Sequence, residues 1–237
     1  MKTPVIEAKK VVKEYHLGET IVSALAGVSL KIYEGDFVVI VGPSGSGKST
    51  LMHLLGTLDH PTRGTVLIDG EDISELDDWD LAMLRRKKIG FIFQSFNLIP
   101  TLNSFENVII PTEPLPGDKE KLEDRGIALL KKVGLGDRLL HKPDELSGGQ
   151  RQRVSISRSL INNPEIIFAD EPTGNLDSVT GRQIIDLMYE LNTKENKTFV
   201  LVTHDETLLK YATKKVFILD GKITKVVENP RSKKVSK

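Results

Sequence analysis

Residues 37–55 constrain the fold of this chain most, because they join an apolar run, a glycine-rich loop and a leucine-rich segment. The apolar run, Phe37–Val41, predicts a short strand that is buried on both faces. The following GPSGSGKS, residues 42–49, fits the pattern G-x-x-x-x-G-K-[ST]. Leucines then recur at helical spacing, and Gly56 is typical of a helix end. Strand, glycine loop and helix in this order predict a phosphate-binding P-loop.

The residue types of this loop suit the binding of a nucleoside triphosphate. Glycines let backbone N–H groups turn toward phosphate oxygens, and the helix N-terminus adds a partial positive charge. Lys48 is expected to reach the β- and γ-phosphates, and the Ser49 hydroxyl to ligate Mg²⁺. ATP and Mg²⁺ are therefore the expected cofactors; a plain Gly/Ser-rich turn would not account for the flanking strand and helix. The candidate ATP-binding residues of the loop are Gly42, Pro43, Ser44, Gly45, Ser46, Gly47, Lys48, Ser49 and Thr50.

The composition disfavours several other kinds of protein. Lys plus Arg and Asp plus Glu both number 33, so the formal net charge is 33 − 33 = 0, which argues weakly against a nucleic-acid-binding ATPase. The absence of cysteine from the sequence excludes disulfides and thiolate metal sites. The sequence shows neither an apolar N-terminal segment nor an apolar run of roughly 18 residues, so we expect no signal peptide and no membrane span. We expect a cytosolic protein that serves any membrane through a partner.

Residues 5–33 predict antiparallel strands, because apolar and polar side chains alternate from Val28 to Tyr33. Tyr15 lies in this region, in the stretch KEYHLGE. The sequence leaves two interpretations of Tyr15 open, an exposed tyrosine of a strand or loop and a ring that stacks on adenine.

Two Asp-Gly pairs follow apolar runs: the pair at 69–70 predicts a turn at the end of a strand, and the pair at 220–221 predicts a hairpin. Ser74 with Asp77 fits a capping-box pattern and predicts the start of a helix. Leu76, Trp79 and Met83 would share one face of that helix. Trp79 is therefore predicted to pack in the core and not to bind a ligand.

A helical region is predicted downstream of residue 95, because the sequence there lacks strand alternation. Prolines interrupt its first part, and a charged helix is predicted from about Asp118 to Val133, with Gly134 at its end. We expect this region to be a helical subdomain inserted between the halves of an α/β core. An apolar patch at its start is either core or a docking surface; its members are Phe93, Phe96, Leu98 and Ile99.

The stretch LSGGQ, residues 146–150, is the second strong motif. Ser147 and Gln150 fit a capping box for a helix that Pro164 would stop. A helix N-terminus that carries two glycines and a serine hydroxyl is also suited to bind phosphate. Because the chain has one P-loop, a second phosphate-binding N-terminus indicates a second copy of the chain.

Polar side chains also follow other apolar runs, at the strand ends where open α/β sheets bind ligands. Asp170 and Glu171 end one such run, Asp170 as a candidate Mg²⁺ ligand and Glu171 as a candidate general base. Gln94 and His204 each follow another apolar strand. Ordinary loop residues are the alternative for Gln94, Asp170 and Glu171, and a structural histidine is the alternative for His204.

These motifs occur in a fixed order that resembles the ATPase subunits of ABC transporters, and LSGGQ is the most specific among them. The resemblance covers nearly the whole chain. It implies an α/β P-loop NTPase core with a mostly parallel sheet, an N-terminal antiparallel β subdomain and an inserted α-helical subdomain. We expect one such domain at residues 1–228, with the core at 1–94 and 164–228, the helical subdomain at 95–163, and a basic flexible tail at 229–237.

The resemblance also implies roles for single residues. Tyr15 looks like the aromatic residue that stacks on adenine, and Gln94 like the glutamine that contacts Mg²⁺ or the attacking water and couples to the membrane partner. Asp177 matches the D-loop, and His204 matches the switch histidine that contacts the γ-phosphate. The segment that would close over ATP of the other subunit in a head-to-tail homodimer is Ser147, Gly148, Gly149 and Gln150. The implied catalytic residues are Lys48, Gln94, Glu171 and His204, and the implied Mg²⁺ ligands are Ser49, Gln94 and Asp170.

Residues 93–108, 133–139 and 170–178 look like the group that serves lipoprotein release, macrolide-type efflux and cell-division permeases. The resemblance implies ATP hydrolysis that drives a separate membrane permease, docked near residues 94–108, from the cytoplasmic side of the membrane. Two other classes stay open. A soluble ABC-type ATPase acting on nucleic acid or ribosomes usually carries two cassettes or long coiled-coil inserts, and LSGGQ has no role in a P-loop kinase. No nucleic acid is expected as a partner.

Overall fold

The computed structural model describes residues 3–18, 20–112 and 119–229. The predicted tail from residue 230 onward lies outside the described residues, and so does the predicted start of the charged helix at Asp118. In the part of the chain that the structure describes, no helix is long and apolar enough to cross a membrane.

Strands dominate the start of the described chain, and helices alternate with strands after it. The strands are β1 (Ile6–Leu17), β2 (Thr20–Ile32), β3 (Phe37–Val41), β4 (Arg63–Ile68), β5 (Glu71–Asp72), β6 (Ile89–Ile92), β7 (Ile166–Asp170), β8 (Thr198–Thr203), β9 (Lys214–Leu219) and β10 (Lys222–Glu228). The α-helices are α1 (Lys48–Leu55), α2 (Asp78–Lys88), α3 (Ser104–Ile109), α4 (Lys119–Lys132), α5 (Gly148–Leu160) and α6 (Ser178–Glu195). They belong to two compact units: the first unit is Met1–Leu76 with Thr198–Lys237, and the second unit is Asp77–Lys197.

The first unit contains an antiparallel sheet and the strand that leads into the P-loop. Strands β2, β1, β4 and β5 pair in this order and run antiparallel. Strand β3 lies between β8 and β9 and is parallel to both, whereas β10 runs antiparallel to β9. All five side chains of β3 are buried, and Val28, Leu30 and Ile32 of β2 are buried as well. Both strand predictions are therefore confirmed.

The two predicted Asp-Gly turns are present in the first unit. Asp69 and Gly70 have φ angles of +51° and +85°, and they join β4 to β5. Asp220 and Gly221 have φ angles of +46° and +69°, and they join β9 to β10. Positive φ at both central residues is the geometry that a two-residue hairpin requires, and Asp-Gly tolerates it.

The second unit packs its helices around two parallel strands, β6 and β7. Helix α5 packs against α3, α4, α6 and β6, so it is central to this unit. Gly90 of β6 approaches α5 closely, because a Cβ there would collide with the carbonyl oxygen of Ser159 in α5. The glycine therefore lets the backbone of α5 lie directly on the strand.

Helix α4 ends at the glycine that the sequence predicted. The Gly134 N–H donates to the Lys131 carbonyl at 3.0 Å, and the Leu135 N–H donates to the Leu130 carbonyl at 2.8 Å. Gly134 has a φ of +78°, so these bonds form a Schellman motif.

The start of α2 differs from the prediction. Asp77, and not Ser74, is the N-cap, because its side chain accepts a hydrogen bond from a backbone N–H of the first turn. Ser74 instead lies in a short 3-10 helix that Asp72 caps. Trp79 is 64% exposed, so its predicted core packing is wrong, and Leu81 is the buried residue of the helix. Asp77, three residues downstream of Ser74, thus provides the cap that the sequence pattern assigned to Ser74.

Candidate functional site

The P-loop of the first unit connects the buried strand β3 to α1, and close backbone packing shapes it. A Cβ on Gly42 would collide with the carbonyl oxygen of Ile218 in β9. A Cβ on Gly47 would lie 2.5 Å from the Ala24 carbonyl oxygen, and Gly47 has a φ of +99°. Neither position has room for a side chain, which explains the two fixed glycines of the motif.

A hydrogen-bonded turn from the end of the chain holds the P-loop in place. The Gly221 N–H donates to the Ser46 carbonyl at 3.0 Å, and the Ala26 N–H donates to the Gly221 carbonyl at 2.9 Å. The β9–β10 turn therefore ties the P-loop to β2. The sequence predicted this turn but gave no signal that it supports the phosphate-binding loop.

Two polar groups in the P-loop are suited to meet a phosphate. Lys48 is only 8% exposed, and its Nζ donates to the carbonyls of Gly42 and Pro43, both at 2.9 Å. An ammonium has three N–H donors, so one remains for a phosphate oxygen. The Ser46 hydroxyl is buried and has no hydrogen-bond partner among the described residues. A buried, unpaired donor at this position fits a loop that binds a ligand.

His204 lies beside the P-loop in the first unit. Strands β3 and β8 pair in parallel with Val41 opposite Thr203, so Gly42 and His204 each follow a paired strand end. His204 is exposed, and Asp205 caps the short helix that follows it. The register thus places His204 and the start of the P-loop at one edge of the sheet.

Tyr15 lies on β1 with 36% of its surface exposed. Its hydroxyl donates to Asp59 Oδ2 at 2.9 Å, and the Nζ of Lys13 lies 5.0 Å from the ring centroid. Partial burial raises the pKa of the Tyr15 hydroxyl, and the hydrogen bond to Asp59 and the charge of that residue raise it further. A hydrogen bond with the Thr50 side chain lowers this pKa and offsets part of the rise.

In the second unit, Asp170 ends β7 and Glu171 begins the loop after it. Glu171 has a φ of +44°, a conformation that is uncommon for a residue other than glycine. The Gln152 side chain of α5 donates to the Pro172 carbonyl at 2.8 Å. The Gly174 N–H donates to the Glu171 carbonyl at 3.0 Å. Two hydrogen bonds therefore hold the backbone at the candidate base and at the residue after it.

The structure brings Gln94 next to this loop. Ile92 of β6 pairs with Ala169 of β7, so Gln94 and Glu171 each lie two residues beyond a strand pair. The Asn175 side chain donates to the Gln94 carbonyl at 2.9 Å. A Cβ on Gly174 would lie 2.8 Å from the Gln94 side-chain nitrogen. Gln94 and the loop that carries Glu171 are thus packed together within the second unit.

The signature segment, residues 147–150, forms the N-terminus of α5. The Ser147 hydroxyl accepts from the Gln150 N–H at 3.3 Å, and the Gln150 side chain accepts from the Ser147 N–H at 2.8 Å. The predicted capping box is therefore confirmed. A Cβ on Gly149 would collide with the Thr180 side chain, so that glycine lets α5 approach α6 closely. Ser147 itself is exposed.

Asp177 has a structural task that the sequence did not assign to it. Its carboxylate caps α6 by accepting from the N–H groups of Val179 and Thr180, at 3.1 and 2.9 Å. Hydrogen bonds from the Thr180 side chain and backbone hold the pKa of the Asp177 carboxyl below its ordinary value. The signal for this cap was visible, because Asp is a preferred N-cap residue.

Two arginines of α5 hold the segment after Gln94, and sequence reasoning missed both. Arg158 donates to the carbonyls of Phe96 and Asn97, at 2.7 and 2.5 Å, and the Arg151 guanidinium lies 5.3 Å from the Phe96 ring centroid. Burial lowers the pKa of Arg158. Phe96 and Asn97 have φ angles of +61° and +49°, so the arginines support an unusual backbone. The apolar patch is only partly buried, and Ile99 is 37% exposed.

The candidate Mg²⁺ ligands offer oxygen atoms, which suits this ion. Ser49 belongs to the first unit, whereas Gln94 and Asp170 belong to the second. Among the described residues, no group of three or more His, Cys, Asp or Glu could hold a metal. Mg²⁺ is usually bound by one or two carboxylates together with substrate phosphates, and not by an all-protein cage. The donor set therefore fits an ion that arrives with a nucleotide.

Comparisons with known proteins agree with the resemblance that the motifs indicated. The profile of the family described as ABC transporter matches residues 25–174. An uncharacterized ABC transporter ATP-binding protein of Thermotoga maritima is 52% identical over 92% of this chain and 93% of its own length. The macrolide export ATP-binding/permease protein MacB of Bdellovibrio bacteriovorus is 50% identical over 92% of this chain, which spans 33% of that protein.

A solved structure is similar over almost the whole chain. It is the dimeric post-hydrolysis state of the ATP-binding cassette MJ0796 bound to ADP and Pi, with 44% identity and a TM-score of 0.87. The match covers 96% of this chain and 100% of that one. The similarity confirms the predicted class of fold.

Proposed function

This chain belongs to the ABC transporter family as an ATP-binding protein, and we propose that two copies close over two ATP molecules to drive a separate membrane permease. Each ATP would lie between the P-loop of one copy and the signature segment of the other. Hydrolysis would then reopen the dimer.

The observation that carries this proposal is that the sequence has two candidate phosphate-binding segments but one P-loop. The sequence has one P-loop, at residues 42–50, but it also has the signature segment at an exposed helix N-terminus. Backbone N–H groups and the partial positive charge of such a terminus favour a phosphate. A second copy of the chain would bring its own P-loop, and the nucleotide bound there would meet this segment. The dimeric structures of MJ0796 support this arrangement.

The first unit would bind the triphosphate. The P-loop N–H groups and the Lys48 ammonium would hold the β- and γ-phosphates, and the Tyr15 ring would stack on adenine. His204, at the same sheet edge as the P-loop, would donate a hydrogen bond to the γ-phosphate.

The second unit would supply the base. Glu171, held by the bonds to its neighbouring backbone, would accept a proton from the attacking water, which Gln94 would help to orient. Ser49, Gln94 and Asp170 would hold Mg²⁺, which neutralises charge on the phosphates as they are transferred. The signature segment of the partner copy would stabilise the spreading charge.

The permease would dock on the segment 94–108, in which Ile99 is exposed and Arg158 holds the backbone. MacB carries ATP-binding and permease parts in one protein by its name, which supports a permease as the partner here. The chain would then act at the cytoplasmic face of a membrane. We propose that the task of the transporter is export, or the handling of lipoprotein-, peptide- or macrolide-type substrates.

Glu171→Gln tests the proposed chemistry. The variant keeps the shape of the side chain but cannot accept a proton, so kcat should fall by about 10²–10⁴-fold. The Kd for ATP should change little. Glu165→Gln is the matched control, because Glu165 directly precedes β7, at the end of the strand opposite to Glu171. Steady-state phosphate release and ATP binding measure both effects, and wild-type turnover of Glu171→Gln would remove Glu171 from the base role.

A further inference from the structure

The Asp59 carboxylate accepts hydrogen bonds from two side chains of β1, Tyr15 and Lys13. Its Oδ2 accepts from the Tyr15 hydroxyl at 2.9 Å, and its Oδ1 accepts from Lys13 Nζ at 2.6 Å. Lys13 also donates to the His60 carbonyl at 2.8 Å. Lys13 is only 13% exposed in its side chain and Asp59 is 29% exposed, so both are more enclosed than a typical surface ion pair.

The position of Asp59 in the chain gives these contacts their meaning. Helix α1 begins with Lys48 and Ser49 at the P-loop and ends at Leu55, four residues before Asp59. A short segment thus joins the phosphate end of the candidate nucleotide site to the ring of Tyr15. Neither Lys13 nor Asp59 takes part in the chemistry proposed above.

We propose that Asp59 is a positioning residue that fixes the Tyr15 ring for stacking on the adenine of ATP, an inference that rests on the proposed role of Tyr15. One carboxylate oxygen holds the phenol hydroxyl, and the other holds the ammonium against one ring face. Adenine would stack on the opposite face. A ring fixed before binding loses less conformational freedom when the base arrives, and this favours affinity.

The cation adds an electrostatic contribution to the same arrangement. An ammonium within about 6 Å of an aromatic centroid is attracted to the ring face, and Lys13 lies at 5.0 Å. The ion pair with Asp59 keeps this ammonium in place. Removal of Asp59 would therefore abolish the hydrogen bond to the Tyr15 hydroxyl and free Lys13 from its place on the ring face.

The test compares the binding of ATP and of inorganic tripolyphosphate, which lacks the base. Isothermal titration calorimetry with Mg²⁺ would be run on the wild type, Asp59→Ala, Asp59→Asn, Tyr15→Ala and the Asp59→Ala/Tyr15→Ala double variant. Asp137→Ala, at an exposed carboxylate of the second unit, is the control. Circular dichroism at increasing temperature would check that each variant is folded.

Tyr15→Ala should weaken ATP binding by about tenfold, because stacking on one aromatic ring contributes that order of affinity. Asp59→Ala should weaken it by about threefold to fivefold, since the ring is still present but free to rotate. Tripolyphosphate should bind every variant as it binds the wild type. The double variant should bind ATP no more weakly than Tyr15→Ala, because Asp59 acts through the ring. Asp59→Asn should also lower the pKa of Tyr15 in an ultraviolet titration, because the carboxylate charge is lost.

The outcomes separate this inference from the proposed function. Equal weakening of ATP and tripolyphosphate by Asp59→Ala and Asp59→Asn would mean that Asp59 supports the P-loop as a whole, and it would overturn the inference. Unchanged ATP affinity in both Asp59 variants, with a clear loss in Tyr15→Ala, would overturn it as well. If Tyr15→Ala itself weakens both ligands equally or neither of them, the proposed adenine contact of Tyr15 fails, and the role of Asp59 fails with it.

Discussion

The P-loop and the loops of the second unit are shaped by different forces. Steric contact shapes the P-loop, where Gly42 and Gly47 lie against the backbones of β9 and β2. Side-chain hydrogen bonds shape three loops and helix ends of the second unit. Gln152 holds the loop after β7, Ser147 and Gln150 close the N-terminus of α5, and Asp177 caps α6.

The difference predicts how each region responds to substitution. A steric site has no room to adjust, so one added methyl group displaces backbone. A hydrogen-bonded site loses one partner at a time, and each loss costs a limited amount. Substitution of the P-loop glycines should therefore cause an abrupt loss, and substitution of these hydrogen-bonding side chains a graded one.

Gly47→Ala should have the largest effect. The new Cβ would meet the Ala24 carbonyl oxygen at 2.5 Å in a residue with positive φ, so the free energy of unfolding should fall by about 3 kcal/mol. ATP binding should be lost as well. Gly45→Ala is the control, because Gly45 also has a positive φ, but a Cβ added there would have no described atom within 4 Å. That variant should lose about 1 kcal/mol, and equal losses in thermal melts would contradict the steric account.

Gln152→Leu should have an intermediate effect. The fully buried Gln152 side chain donates to the Pro172 carbonyl, and loss of this donor should cost about 1–2 kcal/mol. Because Pro172 follows Glu171, kcat should also fall while the Kd for ATP stays constant. Gln183→Leu, at an exposed position of α6, should change neither value much. A Gln152 variant with normal kcat and normal stability would show that this hydrogen bond does not position the loop after β7.

Asp177→Asn should have the smallest effect, and it should depend on pH. Asparagine still caps a helix, so the variant should fold normally. The pKa of Asp177 is lowered in the folded chain, so its charge adds stability above the pKa of the unfolded state, about 3.9. That contribution is lost as the pH falls through the lower folded-state value. The melting temperatures of the wild type and of Asp177→Asn should therefore converge as the pH falls from 7 to 2. A constant difference between them would argue against a titrating cap.

The sequence predicted those regions whose structure depends on residues that are close together in the chain. The run of β3, the P-loop and α1 follow from valines, glycines and leucines whose spacing is local. The capping box at Ser147 and the Asp-Gly turns are local for the same reason. Short-range patterns of this kind need no knowledge of the fold.

Contacts between distant residues escaped prediction. Asp59 lies 44 residues from Tyr15, and Gly221 supports the P-loop from the other end of the chain. Gln152 and Pro172 are 20 residues apart. Trp79 shows the same limit on a smaller scale, because the apolar spacing placed it on a buried face, whereas Leu81 is the buried residue of α2. The predicted limits of the helical subdomain, 95–163, remain a prediction.

Mixing two inactive variants tests the head-to-tail arrangement most directly. In Glu171→Gln both sites lack the base, and in Ser147→Arg a bulky cation should obstruct both signature segments. A mixed dimer would contain one intact site, made of the P-loop and Glu171 of the Ser147→Arg chain and the signature of the Glu171→Gln chain.

Phosphate release would be measured for each variant alone and for their equimolar mixture with saturating Mg·ATP. The proposed dimer predicts two inactive proteins whose mixture recovers about one quarter of wild-type activity, since half of randomly formed dimers have one working site. A mixture as inactive as its components would contradict a site shared between two copies.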